Sequence, residues 1–321
     1  MRKFLLHIAA AAACCTLSAP AWSAAYPERP VKLIVPQSPG GASDTLARLV
    51  AQGLTQAWGQ SVVVENKAGA GGNIGLDAVA KSPGDGYTLL LTYEGTQAIN
   101  VSLRRLPFDP VKDFTPIAAV ATVPFIVTVN KDVKAQTFQE FVELARSHPG
   151  MTFGSAGSGT VNHLLGEMVN HVADTQLTHV PYKGAAPALG DLLGGRLDAV
   201  FTSVPSISQQ VESGSVRALA ISSKSRSSRF PDLPTIAESG YPDFDVSPWF
   251  AIFGPAGIPG DVVDKINRDV AALLADPGFR RNLAEQAAEP LQTSPEQLKS
   301  MLQADITKWA AVVEKSGARV D

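Results

Sequence analysis

The sequence predicts an α/β protein of two Rossmann-like lobes with a hinge and a cleft between them. Three observations predict it. Short β-branched runs alternate with segments of helical period, the alternation starts afresh near residue 125, and a return strand with helices closes the chain. Such alternation gives parallel sheets with helical crossovers. A chain of 321 residues, 45% hydrophobic and 18% charged, suits two compact lobes better than one small core.

The first 25 residues stand apart from this pattern. Arg2 and Lys3 precede a short apolar run, and "SAPAWSAA" supplies small residues with Ser23 and Ala25 at the −3 and −1 positions of a cleavage site. The run is shorter than the roughly 20 residues of a spanning helix. A cleaved signal peptide over residues 1–25 and export are expected. Both cysteines, Cys14 and Cys15, leave with it, so the mature chain holds no disulfide, no cysteine nucleophile and no zinc–thiolate site. Loss of Arg2 and Lys3 takes the net charge from −3 to −5, which offers nucleic acid no attraction.

In the mature chain "VKLIVPQ" (residues 31–37) is a buried strand ending at Pro36, and "SPGG" is a turn. Residues 44–59 place Leu46, Leu49, Val50 and Leu54 on one helical face. "SVVVEN" is a strand, "NIGLDAVAKS" a helix and "YTLLLTY" a strand entered through the turn "SPGDG". The pattern restarts with the strand "FIVTVN" and the helix "TFQEFVELARSHP". The strand "MTFGS", the helix "TVNHLLGEMVNHVA", the strand "LTHVPY" and the helix "APALGDLLGG" follow. The strand "LDAVFTS", the helix "ISQQVESG" and the strand "VRALAIS" complete this part. After a Pro-rich passage "FAIFGPAG" reads as a return strand, and helices are expected over 260–275 and 295–315. The first lobe is assigned 26–124 and 249–321, the second 125–248. Two crossings, near residues 120–125 and 246–250, make a hinge.

Glycine-rich loops are the candidate binding elements. "GSAGSGT" (154–160) has P-loop glycine spacing, but Thr160 stands where the lysine belongs. "AGAGGNIG" (68–75) has Ile74 where a dinucleotide fingerprint needs its third glycine. Neither Ser155 nor Ser158 lies in G-x-S-x-G, and no H-E-x-x-H or carboxylate cluster joins the histidines. A carboxylate remains. Both "GSAGSGT" and "QSPGGASD" end a strand and open a helix, where free N–H groups and the positive helix end meet anions. Ligands of open α/β sheets bind at such strand ends. No catalytic residue, cofactor or metal is expected.

The chain resembles the periplasmic receptors of tripartite tricarboxylate transporters, the Bug receptors. "YPERPVKLIVPQSPGGASDTLAR", "VVVENKAGAGGNIGLDAVAKSPGDGYTLLL", "LPFDPVKDFTPIA", "GSAGSGTVNHLLGE", "HVPYKGAAPALGDLLGGRLDAVF", "LPTIAESGYPDF" and "PAGIP" carry the resemblance across nearly all of the mature chain. It implies a class II periplasmic-binding-protein fold, no catalysis, a small carboxylate (organic acid or amino acid) in the cleft, and delivery to membrane permease subunits. A monomer is expected. By the same resemblance Pro39, Gly40, Gly41 and Asp44 fall on the first-lobe site, and Ser155, Ala156, Gly157, Ser158, Thr160 and His163 on the second. Tyr182, Lys183, Gly184 and Asp198 fall in further cleft segments. The loop "YEGTQAIN" departs from the small polar residues usual in the family. Tyr93 and Glu94 are large and Glu94 is acidic, which leaves two placements, facing the cleft beside a cationic ligand centre or pointing to solvent. Two other functions remain open, a sensory receptor for a membrane kinase and an exported hydrolase using Ser158 and His163.

Overall fold

A computed structural model describes residues 26–316, so the expected signal peptide lies outside the described residues. Along the chain run β1 (Val31–Val35), α1 (Ala42–Trp58), β2 (Val62–Asn66), a 3-10 turn (Ala70–Gly72), α2 (Asn73–Ala80) and β3 (Thr88–Tyr93). A π-helical turn (Gly95–Ile99), α3 (Asn100–Leu103), β4 (Phe114–Thr122), β5 (Phe125–Asn130), α4 (Phe138–Ser147), β6 (Thr152–Ser155) and α5 (Val161–Ala173) follow. Then come β7 (Thr178–Pro181), α6 (Ala185–Leu193), β8 (Ala199–Ser203), α7 (Val204–Glu212), β9 (Val216–Ile221) and β10 (Trp249–Pro255). The chain ends with α8 (Gly260–Ala275), α9 (Pro277–Glu285), β11 (Glu289–Pro290) and α10 (Pro295–Ser316). Among the described residues no helix is long and apolar enough to cross a membrane.

The apolar periods explain most of these elements. Helix α1 buries Leu46, Val50 and Leu54 and stops at Gly59, whose positive φ lets its N–H reach Thr55 O. Helix α5 buries Val161, Leu164, Leu165 and Val169 on the second sheet. Thr137 and Asp276 cap α4 and α9 with their own side chains.

Two sheets result, in the orders β11-β4-β10-β3-β1-β2 and β7-β6-β8-β5-β9. The expected parallel pairing holds for β1 with β2 and β3, and for β6 with β7 and β8. Strand β10 runs antiparallel to β3 and β4, and β5 antiparallel to β8 and β9, so both sheets are mixed. These two strands enter their sheets from the other lobe and therefore run against the local direction.

Register locates the hinge. Phe250 pairs with Tyr93 and Trp249 with Thr122, so β10 begins where β3 and β4 end. Phe125 pairs with Ser203 and Ile126 with Ile221, so β5 begins where β8 and β9 end. Both crossings thus join the C-terminal edges of the two sets of parallel strands. Ser222 ties them together, its Oγ accepting from Phe125 N–H at 2.9 Å and donating to Val246 O at 2.5 Å. Val123 N–H donates to Pro248 O at 3.0 Å. Helix α10 packs on β4, the π-turn and α3 of the first lobe, as expected of a returning helix, and also on α5 of the second.

Candidate functional site

The loops after β1 and β6 leave their sheets at the same strand ends as the crossings. In the first lobe Pro39, Gly40 and Gly41 form an exposed turn between β1 and α1. A Cβ on Gly40 or Gly41 meets nothing within 4 Å, so the turn faces open space. Gly41 caps α1 without a side chain, which leaves the first-turn N–H groups pointing into that space.

Asp44 does not join this open face. Its buried carboxylate accepts from Gly40 N–H, from Asn66 Nδ2 and from two nitrogens of Arg48, each at 3.0 Å. Burial alone raises its pKa. The hydrogen bonds of Arg48, Gly40 and Asn66, with the Arg48 charge, outweigh burial and hold it below the usual carboxylate range. Asp44 is the buckle of the turn, its oxygens already engaged by protein donors.

Behind this turn lie residues that sequence reasoning passed over. Gln37 Nε2 donates to Thr96 Oγ1 at 2.8 Å. Gly72, with φ +98°, brings the third loop against this pair; a Cβ there would lie 2.5 Å from Thr96 Cγ2. Thr96 also meets the Tyr93 hydroxyl. Tyr93 is half-buried and stacks on Phe250 at 5.7 Å, which puts it at the hinge. The signal for Thr96 was present in "YEGTQAIN", as the small polar residue three places after the strand.

Glu94 takes neither expected placement. It is 4% exposed and turned into the protein, where its Oε1 accepts from the Trp309 indole N–H of α10. Burial, then the nearby Asp305, push its pKa up to about 7, against the hydrogen bond from Trp309 and the charge of Lys308. Packing decided this: α10 covers the end of β3 with an indole donor 215 residues away in sequence.

In the second lobe the loop between β6 and α5 is built on Gly157 (φ +136°) and Gly159 (φ +77°). Thr160 caps α5, but its hydroxyl turns back to Gly157 O at 2.7 Å, so the helix start keeps its free N–H groups. Ala156 and Ser158 are half-exposed, and the Ser158 hydroxyl has no hydrogen-bond partner among the described residues. Ser155 and His163 point inward. Ser155 Oγ lies 2.6 Å from His179 Nε2, and His163 Nδ1 accepts from Gly159 N–H at 3.0 Å. Burial, then His163, lower the His179 pKa to about 4, with Glu167 opposing.

Tyr182 N–H donates to Ser155 O at 3.2 Å and so holds the next loop alongside, but its hydroxyl is spent on Asp191 at 2.6 Å. Lys183 is exposed and Gly184, with φ +120°, opens α6. Asp198 is corrected outright. It precedes β8 and accepts from Thr152 N–H at 2.7 Å, at the N-terminal ends of β6 and β8. That is the sheet edge opposite the 155–160 loop. A residue missed at the right edge is Ser203, which opens α7 and meets Ser206 Oγ at 2.8 Å. Beside it a polar recess of about 500 Å³ opens between the lobes, lined by Ser206, Gln209, Arg229 and Gln286.

Ser158 has no bond to His163, and Ser155, which does meet a histidine, is 1% exposed. Among the described residues no three His, Cys, Asp or Glu side chains converge as metal ligands do.

Residues 46–318 match the tripartite tricarboxylate transporter family receptor, TctC. The chain is 38% identical to Protein BugT of Bordetella pertussis, over 100% of this chain and 99% of that one. Among solved structures, R. palustris Rpa4515 with adipate superposes with a TM-score of 0.86 at 36% identity, covering 92% of this chain and 100% of the other. MatC (Rpa3494) from Rhodopseudomonas palustris with bound malate gives 0.80 at 32% identity, covering 90% and 100%.

Proposed function

The chain belongs to the tripartite tricarboxylate transporter receptor family, a family of solute-binding receptors and not of enzymes, and from that premise we propose that it captures a small carboxylate between its lobes and hands it to the membrane permease subunits of such a transporter. The observation that carries the reading is the pair of helix starts, α1 and α5, neither capped by its own side chain and both at the strand ends that flank the crossings. One lobe is taken as 26–124 with 249–321, the other as 125–248, and the mature protein as exported to the periplasm after cleavage near Ala25.

In this reading the N–H groups of the Gly40–Gly41 turn and the start of α1 hold one carboxylate. Ser158, Ala156 and the start of α5 hold another. Asp44, Ser155, Thr160 and His163 shape the two loops from behind, and Thr96 with Gln37 sets the floor. Hydrogen bonds to a charged group contribute about 1.5–3 kcal/mol each, and a helix start adds about 0.3–2. Desolvating a carboxylate costs several kcal/mol. Three or four donors at each end then leave roughly the −8 kcal/mol of a micromolar complex. The relatives bound to adipate and malate support a two-ended acid. A cationic ligand centre loses its support, because Glu94 is turned toward α10.

The test is calorimetry and thermal shift with adipate, malate, citrate and glutamate, together with mass spectrometry of whatever co-purifies. One-to-one binding of a diacid without turnover is the expected result. Failure of every acid to bind, or hydrolysis of an ester panel, overturns the reading.

A further inference from the structure

Two imidazoles lie behind the 155–160 loop, face to face, with centroids 3.7 Å apart and planes 15° from parallel. His163 comes from the first turn of α5 and is 6% exposed, while His179 lies on β7, beside β6. Each touches one end of the loop. The Gly159 N–H can only donate, so His163 Nδ1 accepts and the ring proton sits on Nε2, which faces Glu167 Oε1 at 3.6 Å. Ser155 Oγ is 2.6 Å from His179 Nε2 and 3.1 Å from Gly157 O. Gly157 O also accepts from the N–H and the hydroxyl of Thr160. Ser155 Oγ donates its one proton to Gly157 O, so His179 Nε2–H donates to that oxygen.

We infer that His163 and His179 are the positioning residues of this loop: as stacked rings they hold both of its ends, His163 Nδ1 accepting from Gly159 N–H and His179 Nε2 donating to Ser155 Oγ. The inference rests on the binding role proposed for the loop. Two features of the cluster support it. Both loop glycines have positive φ, a geometry that must be imposed from outside. The ring nitrogens supply that imposition, whereas the hydroxyls of Ser155 and Thr160 bond within the loop as well. Glu167, on α5, is the charged group facing the pair. The strands β6 and β7, and α10 where it packs on α5, bring no other ion pair to either ring among the described residues.

Burial, then His163, keep the proton affinity of His179 low, so its ring is neutral beside its partner at neutral pH.

The experiment uses ligand-free, isotope-labelled full chain. The amides of Gly157 and Gly159 are followed at neutral pH. His179→Phe keeps a stacked ring but no donor; it should move the Gly157 amide and weaken adipate or malate binding about tenfold, the worth of one hydrogen bond. His179→Gln returns a donor, and should bring the Gly157 amide back toward its wild-type position and recover affinity to within about threefold. A Gly157 amide that stays still in His179→Phe, or Phe and Gln variants that behave alike, overturn the inference. If wild type binds neither acid, the binding reading fails by itself, and the amide shifts still decide the positioning role.

Discussion

The indole N–H of Trp309, in the C-terminal helix, donates to the Glu94 carboxylate at the end of β3. One turn earlier in that helix Asp305 accepts from the Trp249 indole N–H at 2.7 Å. Trp249 opens β10 at the hinge, and its main-chain N–H also meets Glu94. Two carboxylates and two indoles thus join the end of β3, the second crossing and α10. Both carboxylates are raised above their ordinary values, each first by burial.

A raised carboxyl makes stability fall as pH rises. The folded state keeps the Glu94 proton up to about pH 7, while the unfolded chain loses it near 4.5. Between these values the folded state binds more protons, so stability is full below 4.5 and is lost as pH climbs through 7. Glu94→Gln, which keeps an oxygen for Trp309, should be more stable than wild type at pH 8 by at least about 1 kcal/mol and close to it at pH 4.5. Urea unfolding at both pH values checks this. An equal difference at the two values would show that Glu94 does not titrate.

The turn buckle gives a second prediction. Asp44→Ala removes the acceptor of Gly40 N–H, Asn66 and Arg48 at once, whereas Arg48→Ala removes one exposed partner. Asp44→Ala should weaken ligand binding about tenfold or more, and Arg48→Ala by less than about threefold, in line with the small worth of exposed ion pairs. Calorimetry with the best-binding acid decides, and equal losses would place the carboxylate's importance in its pairing with Arg48 alone.

Much of this arrangement was legible in the sequence. The α/β alternation, the restart at "FIVTVN" and both glycine loops follow from local period and turn chemistry. β4 was not legible, because Pro116 interrupts "FTPIAAVAT". Structure accommodates that proline beside a bulge opposite Phe253, where β11 does not reach. Helix α9 is short and starts at a proline, and only the Asp276 cap marks it. Asp198 and Glu94 failed for one shared reason. Which end of a strand a residue occupies depends on register, and which way a carboxylate turns depends on partners distant in sequence.

Gly41 and Thr160 test the site itself. Gly41 has φ −92°, which any residue adopts, and open space before it, so Gly41→Val should fold normally and block the first-lobe turn. Thr160→Val removes the hydroxyl that holds Gly157 O. Each should cost at least about 1.5 kcal/mol of binding. Gly41→Val should leave the melting temperature within about 2 °C of wild type. Unchanged affinity in both variants would move the ligand elsewhere.

The hinge yields the last prediction. Ser222 is fully buried, and its hydroxyl joins the two crossings through Phe125 and Val246. Ser222→Ala leaves the Phe125 N–H without that acceptor and the Val246 carbonyl without that donor. An unsatisfied buried group costs about 1–3 kcal/mol, so the variant should unfold at lower urea. Its effect on closure is separate. Both crossings keep their Val123–Pro248 bond, so the lobes still have an axis to turn about, but a looser one. Small-angle scattering should show wild type contracting when the ligand is added, as lobes closing on a two-ended acid require. The variant should contract as far at saturation but start from a broader ligand-free ensemble and bind more weakly. If neither protein changes its radius of gyration while both bind tightly, the ligand does not close the lobes, and the crossings serve as rigid links.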